Sequence, residues 1–334
     1  MTKTAARALE SQATVMRLIA RKTSVPVPAV YAFDTSSNNE ISAPYICTSF
    51  IPGETVSKVW FDETGPIPLE DRRLRILEST SRAIAQLSHF SFEKIGSPYE
   101  EVDGSLTLDP CYDWHENDDG NVCIVGTGPY DSTIGYLQEH RAPENAKSPW
   151  GIAAAKIIDV VAPSLPVRGT VDDFVLSIPD FDSQNIMVDQ MGNLTGIIDW
   201  DLAQTVPRCV GYCRYPSWIT RDWDPLMYGW PKMRKSENSP DELDAYRQYY
   251  NEKLGEALQW AGDWGFTKKS HVREAVWIAT LSGPNRLRIC CKLVQAVMGE
   301  GIVAQDVLFD LGTNRVMEED WDDLKQKLAY LVSH

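Results

Sequence analysis

The chain has 334 residues, 43% hydrophobic and 24% charged, a balance that excludes a disordered or collagen-like chain and allows a core large enough for two lobes. Its 32 Lys and Arg against 47 Asp and Glu give a net charge of −15 without any basic run, which argues against nucleic acid or an anionic membrane as partner and favours a cationic or neutral small molecule. Seven cysteines without a zinc-type spacing, no secretory leader pattern and no apolar run near the roughly 18 residues of a membrane span lead to the expectation of a cytoplasmic protein.

Helical spacing sets in at once. Residues 4–21 carry Val15, Leu18 and Ile19 on one face, with Glu10 nearby, and the pattern stops ahead of Pro26 and Pro28. Two β-type runs follow, 29–33 and 45–50, across a polar turn at 34–39. Pro52 and Gly53 end the second run, and beyond them the spacing predicts a long helix with Leu74, Leu77, Ile84 and Leu87 on one side. Residues 100–119 are crowded with acid: Glu100, Glu101, Asp103, Asp109, Asp113, Glu116, Asp118 and Asp119, interleaved with Trp114 and His115. They read as a solvated loop, with an acidic lip for a cationic substrate as the alternative. Further helical stripes run through Leu243, Tyr246, Tyr250, Leu254, Ala257 and Ala261, and through Trp321, Leu324, Leu328 and Leu331. The expectation is an α+β protein, with a small mixed lobe over residues 1–52 and a large, mainly helical one over 53–334.

The stretch 174–207 carries the chemistry. Residues 186–188 and 196–198 are short apolar runs around Gly192 and Asn193, which predicts a β-hairpin. Centred on Gly192, its register sets Ile186 opposite Ile198 and Asn185 opposite Asp199, with Cα atoms about 4.5–5.5 Å apart. Two oxygen ligands at that separation suit Mg²⁺, which completes its shell with water and phosphate. Asp201 lies two residues on, placed to support a second ion or the loop. Asp180 sits in a loop behind Pro179, where a carboxylate can take the proton of a substrate hydroxyl while the metal holds a phosphate chain. Singly, Asp180, Asp182 and Asn185 also read as turn-capping Asx residues; together with the hairpin they favour a site.

These residues resemble the aminoglycoside phosphotransferase family, whose catalytic loop runs His-x-Asp-x-x-x-x-Asn and is followed by a hairpin and an Ile-Asp-Trp-like metal segment. Asp180 and Asn185 match the loop, and Asp199 within Ile197-Ile198-Asp199-Trp200 matches the metal position. Val25-Pro26-Val27-Pro28, the segment 45–53 and the segment 87–96 also look like the family, and the likeness spans about residues 5–225. The resemblance implies a protein-kinase-like two-lobe fold with a reduced N-terminal lobe. It also implies ATP- and Mg²⁺-dependent phosphoryl transfer to a small-molecule hydroxyl. Asp180 is then the base, Asn185 and Asp199 the Mg²⁺ ligands, and Thr48, Phe50, Ile51 and Glu10 the nucleotide contacts.

Two departures from the family pattern support alternatives. Ile178 stands where the family has its His, and the nine residues ahead of Glu10 leave no room for the family's three strands with their phosphate-covering loop and Lys. The alternatives are a pseudokinase-like scaffold that binds a ligand without transfer, or the fold turned to another reaction on a small metabolite. For the acceptor, acid favours an amino-sugar or polyamine-like molecule, while Trp114, Trp218, Trp223 and Trp230 suit an aromatic or terpenoid one.

Overall fold

The computed structural model describes residues 2–117, 119–144, 147–167, 173–299 and 301–334. Helix α1 (Lys3–Lys22) begins where the Thr2 hydroxyl accepts the Ala5 N–H at 3.2 Å, and Arg21 and Lys22 sit at the negative end of its dipole. Its Val15 and Ile19 are fully buried. Strands β1 (Val30–Asp34) and β2 (Tyr45–Thr48) pair antiparallel, as the two β-type runs require. The long helix does not follow Gly53 directly. Strand β3 (Glu54–Thr55) and the single turn α2 (Val56–Val59) come first, and α3 (Leu69–Ala85) starts only behind Pro68, whose ring suits a helix entrance and no interior position.

The acidic stretch is not a loop. It forms two hairpins, β4 (Ser97–Glu100) with β5 (Leu106–Asp109), and β6 (Cys111–Glu116) with β7 (Val122–Thr127). The loop reading fails because the tip of β6 is open to water on both faces: Asp113, Trp114, His115 and Glu116 are all exposed, so the alternation of a half-buried strand is absent. Asp118 lies outside the described residues. Arg7 ties the first ribbon to α1 through two bonds to Asp109, at 2.8 and 2.9 Å.

Helices α4 (Thr133–His140) and α5 (Pro149–Val161) lead into strand β8 (Phe174–Leu176), which pairs with β11 (Thr205–Pro207). Between those two lies the hairpin β9 (Ile186–Val188) and β10 (Leu194–Ile197), with β3 on its outer edge. Six helices complete the described chain: α6 (Pro240–Ala257), α7 (Trp264–Thr267), α8 (Ser270–Leu281), α9 (Gly283–Met298), α10 (Ala304–Gly312) and α11 (Glu318–Ser333). A reciprocal Ser239–Glu242 capping box starts α6, and its apolar stripe ends with the helix, leaving Ala261 beyond it. The mixture is α+β, as expected. Among the described residues no helix is long and apolar enough to cross a membrane.

Two apolar cores result. One joins α1, α3 and α6 to the hairpin through Ile19, Ile76, Tyr250 and Ile186; the other joins α5, α8, α9 and α11 through Ile157, Val276, Leu293 and Leu328. Phe92 packs against both. Where α10 crosses α5, a Cβ on Gly312 would run into the backbone of Pro149. Gly312→Ala is therefore expected to destabilise the protein by about 1–3 kcal/mol through overpacking, seen as an earlier midpoint in denaturant unfolding. An unchanged midpoint would mean that the helices can part freely.

Candidate active site

The hairpin register differs by one residue from expectation. Ile186 faces Ile197, Met187 faces Gly196 and Val188 faces Leu194, so Thr195 is an extra residue in β10. In this register Ile198, not Asp199, is the cross-strand neighbour of Asn185, and its N–H donates to the Asn185 carbonyl at 2.9 Å. Thr195 is held out of the ladder by its hydroxyl, which donates to the Pro52 carbonyl at 2.6 Å. The turn itself is built by Asp189, whose Oδ1 accepts the N–H groups of Met191 and Asn193 at 2.9 and 2.8 Å. Gly192 takes φ 87°, and a side chain there would meet the Arg72 carbonyl.

Asp199 follows one residue later in the left-handed region, at φ 60°, with Leu202 at 56°. Asp is among the few side chains that accept this conformation at modest cost. Between Asp199 and Asp201 the indole of Trp200 turns inward, 1% exposed, and donates to the Ile197 carbonyl at 2.9 Å. Anchoring Trp200 in the core leaves both flanking carboxylates on the surface side. Asp201 has its carboxyl pushed up by the protein crowded around it and by the like charge of Asp199, while a Gln12 hydrogen bond acts in the opposite sense.

Asp180 lies on the loop after β8. Its Oδ2 accepts the Gln184 side-chain amide at 2.6 Å and the Asn185 amide at 3.0 Å, and its backbone carbonyl accepts the same Asn185 nitrogen at 3.0 Å. Asn185 is 5% exposed, so the loop is pinned from beneath. Asp182 Oδ1 accepts the N–H of the next residue, Ser183, at 2.6 Å, one position short of the reach of an Asx turn.

Asp180, Asp199 and Asp201 line one cavity of about 690 Å³, together with Asp113 and Trp114 of β6. Its far wall is aromatic. Tyr136 stacks between His140, 4.2 Å away, and Trp277, 5.1 Å away, and Trp223 stands beside His271. Burial holds His271 well below the usual histidine range, so its imidazole is neutral near pH 7. Arg214 and Arg221 reach the cavity too, each opposite an acid, Glu274 at 3.2 Å and Glu237 at 3.3 Å. Burial and nearby Asp182 push the Glu274 carboxyl up, against the pull of Arg214.

The four nucleotide contacts implied by resemblance lie elsewhere. Thr48 ends β2 opposite Val30, Phe50 is 87% exposed, and Ile51 packs against Gly196 of β10. Glu10 faces the Tyr99 hydroxyl and helps to raise its pKa. None of the four lines the 690 Å³ cavity. Of the tryptophans singled out, Trp114 and Trp223 line it, Trp218 is buried in the core against Trp60 and Phe181, and Trp230 is not among the lining residues. Sequence reasoning missed Trp277, Arg214 and Glu274. Glu274 had a signal, a lone acid beside the buried Val272, Ala275 and Val276 of α8.

Among curated proteins, the chain is similar to altered inheritance of mitochondria protein 9, mitochondrial, from Candida albicans and Candida tropicalis. Identity is 31% over 108 residues and 27% over 114, covering 31% and 33% of this chain. The chain spans under a fifth of those relatives, 17% and 18% of their lengths. Their names correct the cytoplasmic location expected above, because both are mitochondrial proteins. Cysteine count and the lack of a secretory pattern separate secreted from intracellular chains, not one intracellular compartment from another.

Among solved structures, one from Ralstonia eutropha, provisionally assigned as an aminoglycoside phosphotransferase, aligns over 97% of this chain and 83% of its own, with 15% identity and a TM-score of 0.48. A thermostable mutant of aminoglycoside phosphotransferase APH(4)-Ia, in ternary complex with ADP and hygromycin B, aligns over 96% and 82%, with 14% identity and a TM-score of 0.40. The model of the phosphotransferase enzyme family matches residues 2–212. With nearly two thirds of its length inside that match, the chain belongs to the phosphotransferase enzyme family.

Proposed function

We propose that the protein transfers a phosphoryl group from ATP, with Mg²⁺, to the hydroxyl of a small cationic or neutral acceptor. The observation that carries this reading is the sharing of one cavity by Asp180 and Asp199, with Asp180 pinned by Asn185. Because Oδ2 of Asp180 is taken by Gln184 and Asn185, Oδ1 is the oxygen that accepts the substrate proton. Asn185 and Asp199 supply hard oxygen donors of the kind Mg²⁺ selects, and crowded negative charge at Asp199 and Asp201 favours a cation there. Among the described residues no three His, Cys, Asp or Glu side chains form a cage, and a bound ion would draw the rest of its shell from phosphate and water oxygens. Mg²⁺ when bound neutralises charge on the phosphates.

The nucleotide end is assigned to Thr48, Phe50 and Ile51, since Ile51 rests on β10 three residues ahead of Asp199, with Glu10 on the helix α1 that also sends Gln12 to Asp201. Residues 1–52 form the smaller part and 53–334 the larger. Acid at Asp113, Asp182, Asp201 and Asp224, with both cavity arginines already paired, favours an acceptor bearing positive charge, and Trp223 and Trp277 offer it aromatic faces. A second reading, ligand binding without transfer, draws on Ile178, a buried aliphatic at the position of the family's His.

A thermal-shift titration of the full-length protein with ATP and Mg²⁺ tests the binding half. At 100 times its Kd the nucleotide should add about 2.7 kcal/mol of stability. Asp199→Ala should lose the Mg²⁺-dependent part, measured with Mg²⁺ or Mn²⁺. No shift in the wild type, or an equal shift in the variant, would refute the assignment. Turnover against a panel of hydroxyl acceptors then separates transfer from binding alone.

A further inference from the structure

We propose that Arg214 is a positioning residue for the Asp180 loop, clamped in place by Glu274 and doing the orienting work that no histidine does in this chain. The inference rests on the reading of Asp180 as the proton acceptor. Position 178 carries an isoleucine that is 1% exposed and committed to the apolar core, so its side chain cannot hydrogen-bond to the loop. The backbone there is nevertheless held by a charged donor. Nη2 of Arg214 donates to the Ile178 carbonyl at 2.6 Å, and the guanidinium lies 5.9 Å from the Phe181 ring. On the other side of Asp180, the Phe181 carbonyl accepts both the N–H and the hydroxyl of Ser217, at 2.9 and 3.0 Å. The carbonyls two residues before and one residue after Asp180 are thus both fixed by the single segment 214–217.

Arg214 is itself fixed. Its Nη1 meets the Glu274 carboxylate of α8 at 3.2 Å, with the two side chains only 11% and 16% exposed. A guanidinium suits this task because its planar fork presents donors in two directions at once, one toward a carboxylate and one toward a carbonyl. Lysine offers a point charge and cannot serve both as well. Removing the guanidinium leaves the Ile178 carbonyl with only the Ser177 hydroxyl, a long bond of 3.3 Å, and leaves Glu274 buried without its counter-charge. Asp180 then keeps Asn185 and Gln184 but loses one rail of its frame.

The test compares wild type, Arg214→Ala, Arg214→Lys and Glu274→Gln in the full-length protein. Hydrogen exchange is followed peptide by peptide, and turnover is measured where the wild type shows it. Arg214→Ala should raise exchange about tenfold in peptides covering 177–185, and less in α8, where Glu274 loses its partner; Arg214→Lys should do less, and both should leave β8 near wild type. In turnover, kcat should fall by about 10²-fold in Arg214→Ala with nucleotide affinity unchanged, and Arg214→Lys should recover part of it. Wild-type protection of 177–185 in a folded Arg214→Ala protein would overturn the proposal, and so would a rise spread equally over α8 and β8, which marks a merely structural role. Should Arg214→Ala not fold, Arg214→Lys decides: loosening confined to the loop supports the clamp, and wild-type protection refutes it. A wild type without turnover would strike out the proposed function and leave the exchange result standing, so the two failures are separable.

Discussion

Asp180→Asn is expected to lower kcat by about 10²–10⁴-fold, the range by which a positioned general base accelerates proton transfer. The fold should survive, because Asp180 is exposed and its anchoring partners, Gln184 and Asn185, are donors that an amide oxygen still satisfies. Only the basicity of the remaining oxygen is lost. Nucleotide stabilisation in a thermal-shift titration should therefore stay close to wild type while turnover collapses, a split that distinguishes loss of chemistry from loss of binding. Turnover within a few-fold of wild type would remove Asp180 from the reaction.

Trp200→Ala is expected to cost about 3–5 kcal/mol in stability, enough to unfold a large share of a marginally stable protein. Trp200 is among the largest fully buried side chains and its indole N–H is satisfied by the Ile197 carbonyl at 2.9 Å. Removal leaves a cavity in the core and an acceptor without its donor. Trp200→Phe, which refills most of the volume, should recover most of the loss and retain a deficit of about 0.5–1.5 kcal/mol for the hydrogen bond. Denaturant unfolding with urea measures both. A cost below about 1 kcal/mol for Trp200→Ala would mean that the core closes over the gap and that Trp200 does not hold Asp199 and Asp201 outward.

Long helices were legible because their apolar faces repeat over many turns: Val15, Leu18 and Ile19 on α1, or Leu324, Leu328 and Leu331 on α11, could have no other period. The hairpin at 186–197 was legible from its turn residues, though its register was not. Register depends on one residue, Thr195, whose exclusion from the ladder is decided by the distant Pro52 carbonyl, a contact no local pattern encodes. The β6–β7 ribbon was lost for a related reason, since a strand that buries neither face at its tip has no alternation to read. Asp180, Asn185 and Asp199 stood out as a spaced set, and two of the three line the cavity with the third bonded beneath. Of the opposite wall only Trp223 was singled out, because Tyr136 and the pair Glu274 and Trp277 come from helices more than 130 positions apart in the chain and meet only in three dimensions.

The extra residue in β10 also governs which changes of length the hairpin can absorb. Thr195 is a spare position: deleting it would let Leu194 run directly into Gly196, and the pairs Val188–Leu194, Met187–Gly196 and Ile186–Ile197 would survive as an unbroken ladder. Deleting a turn residue such as Gln190 instead removes a count that the ladder needs, and the strand must either form its bulge elsewhere or slide by one. A slide of one sends every side chain of β10 to the opposite face and carries Asp199 with it. Natural and engineered variants of this protein should therefore show gaps at 195 far more readily than at 189–193, with single-residue insertions collecting beside Thr195 rather than in the Asp189 turn.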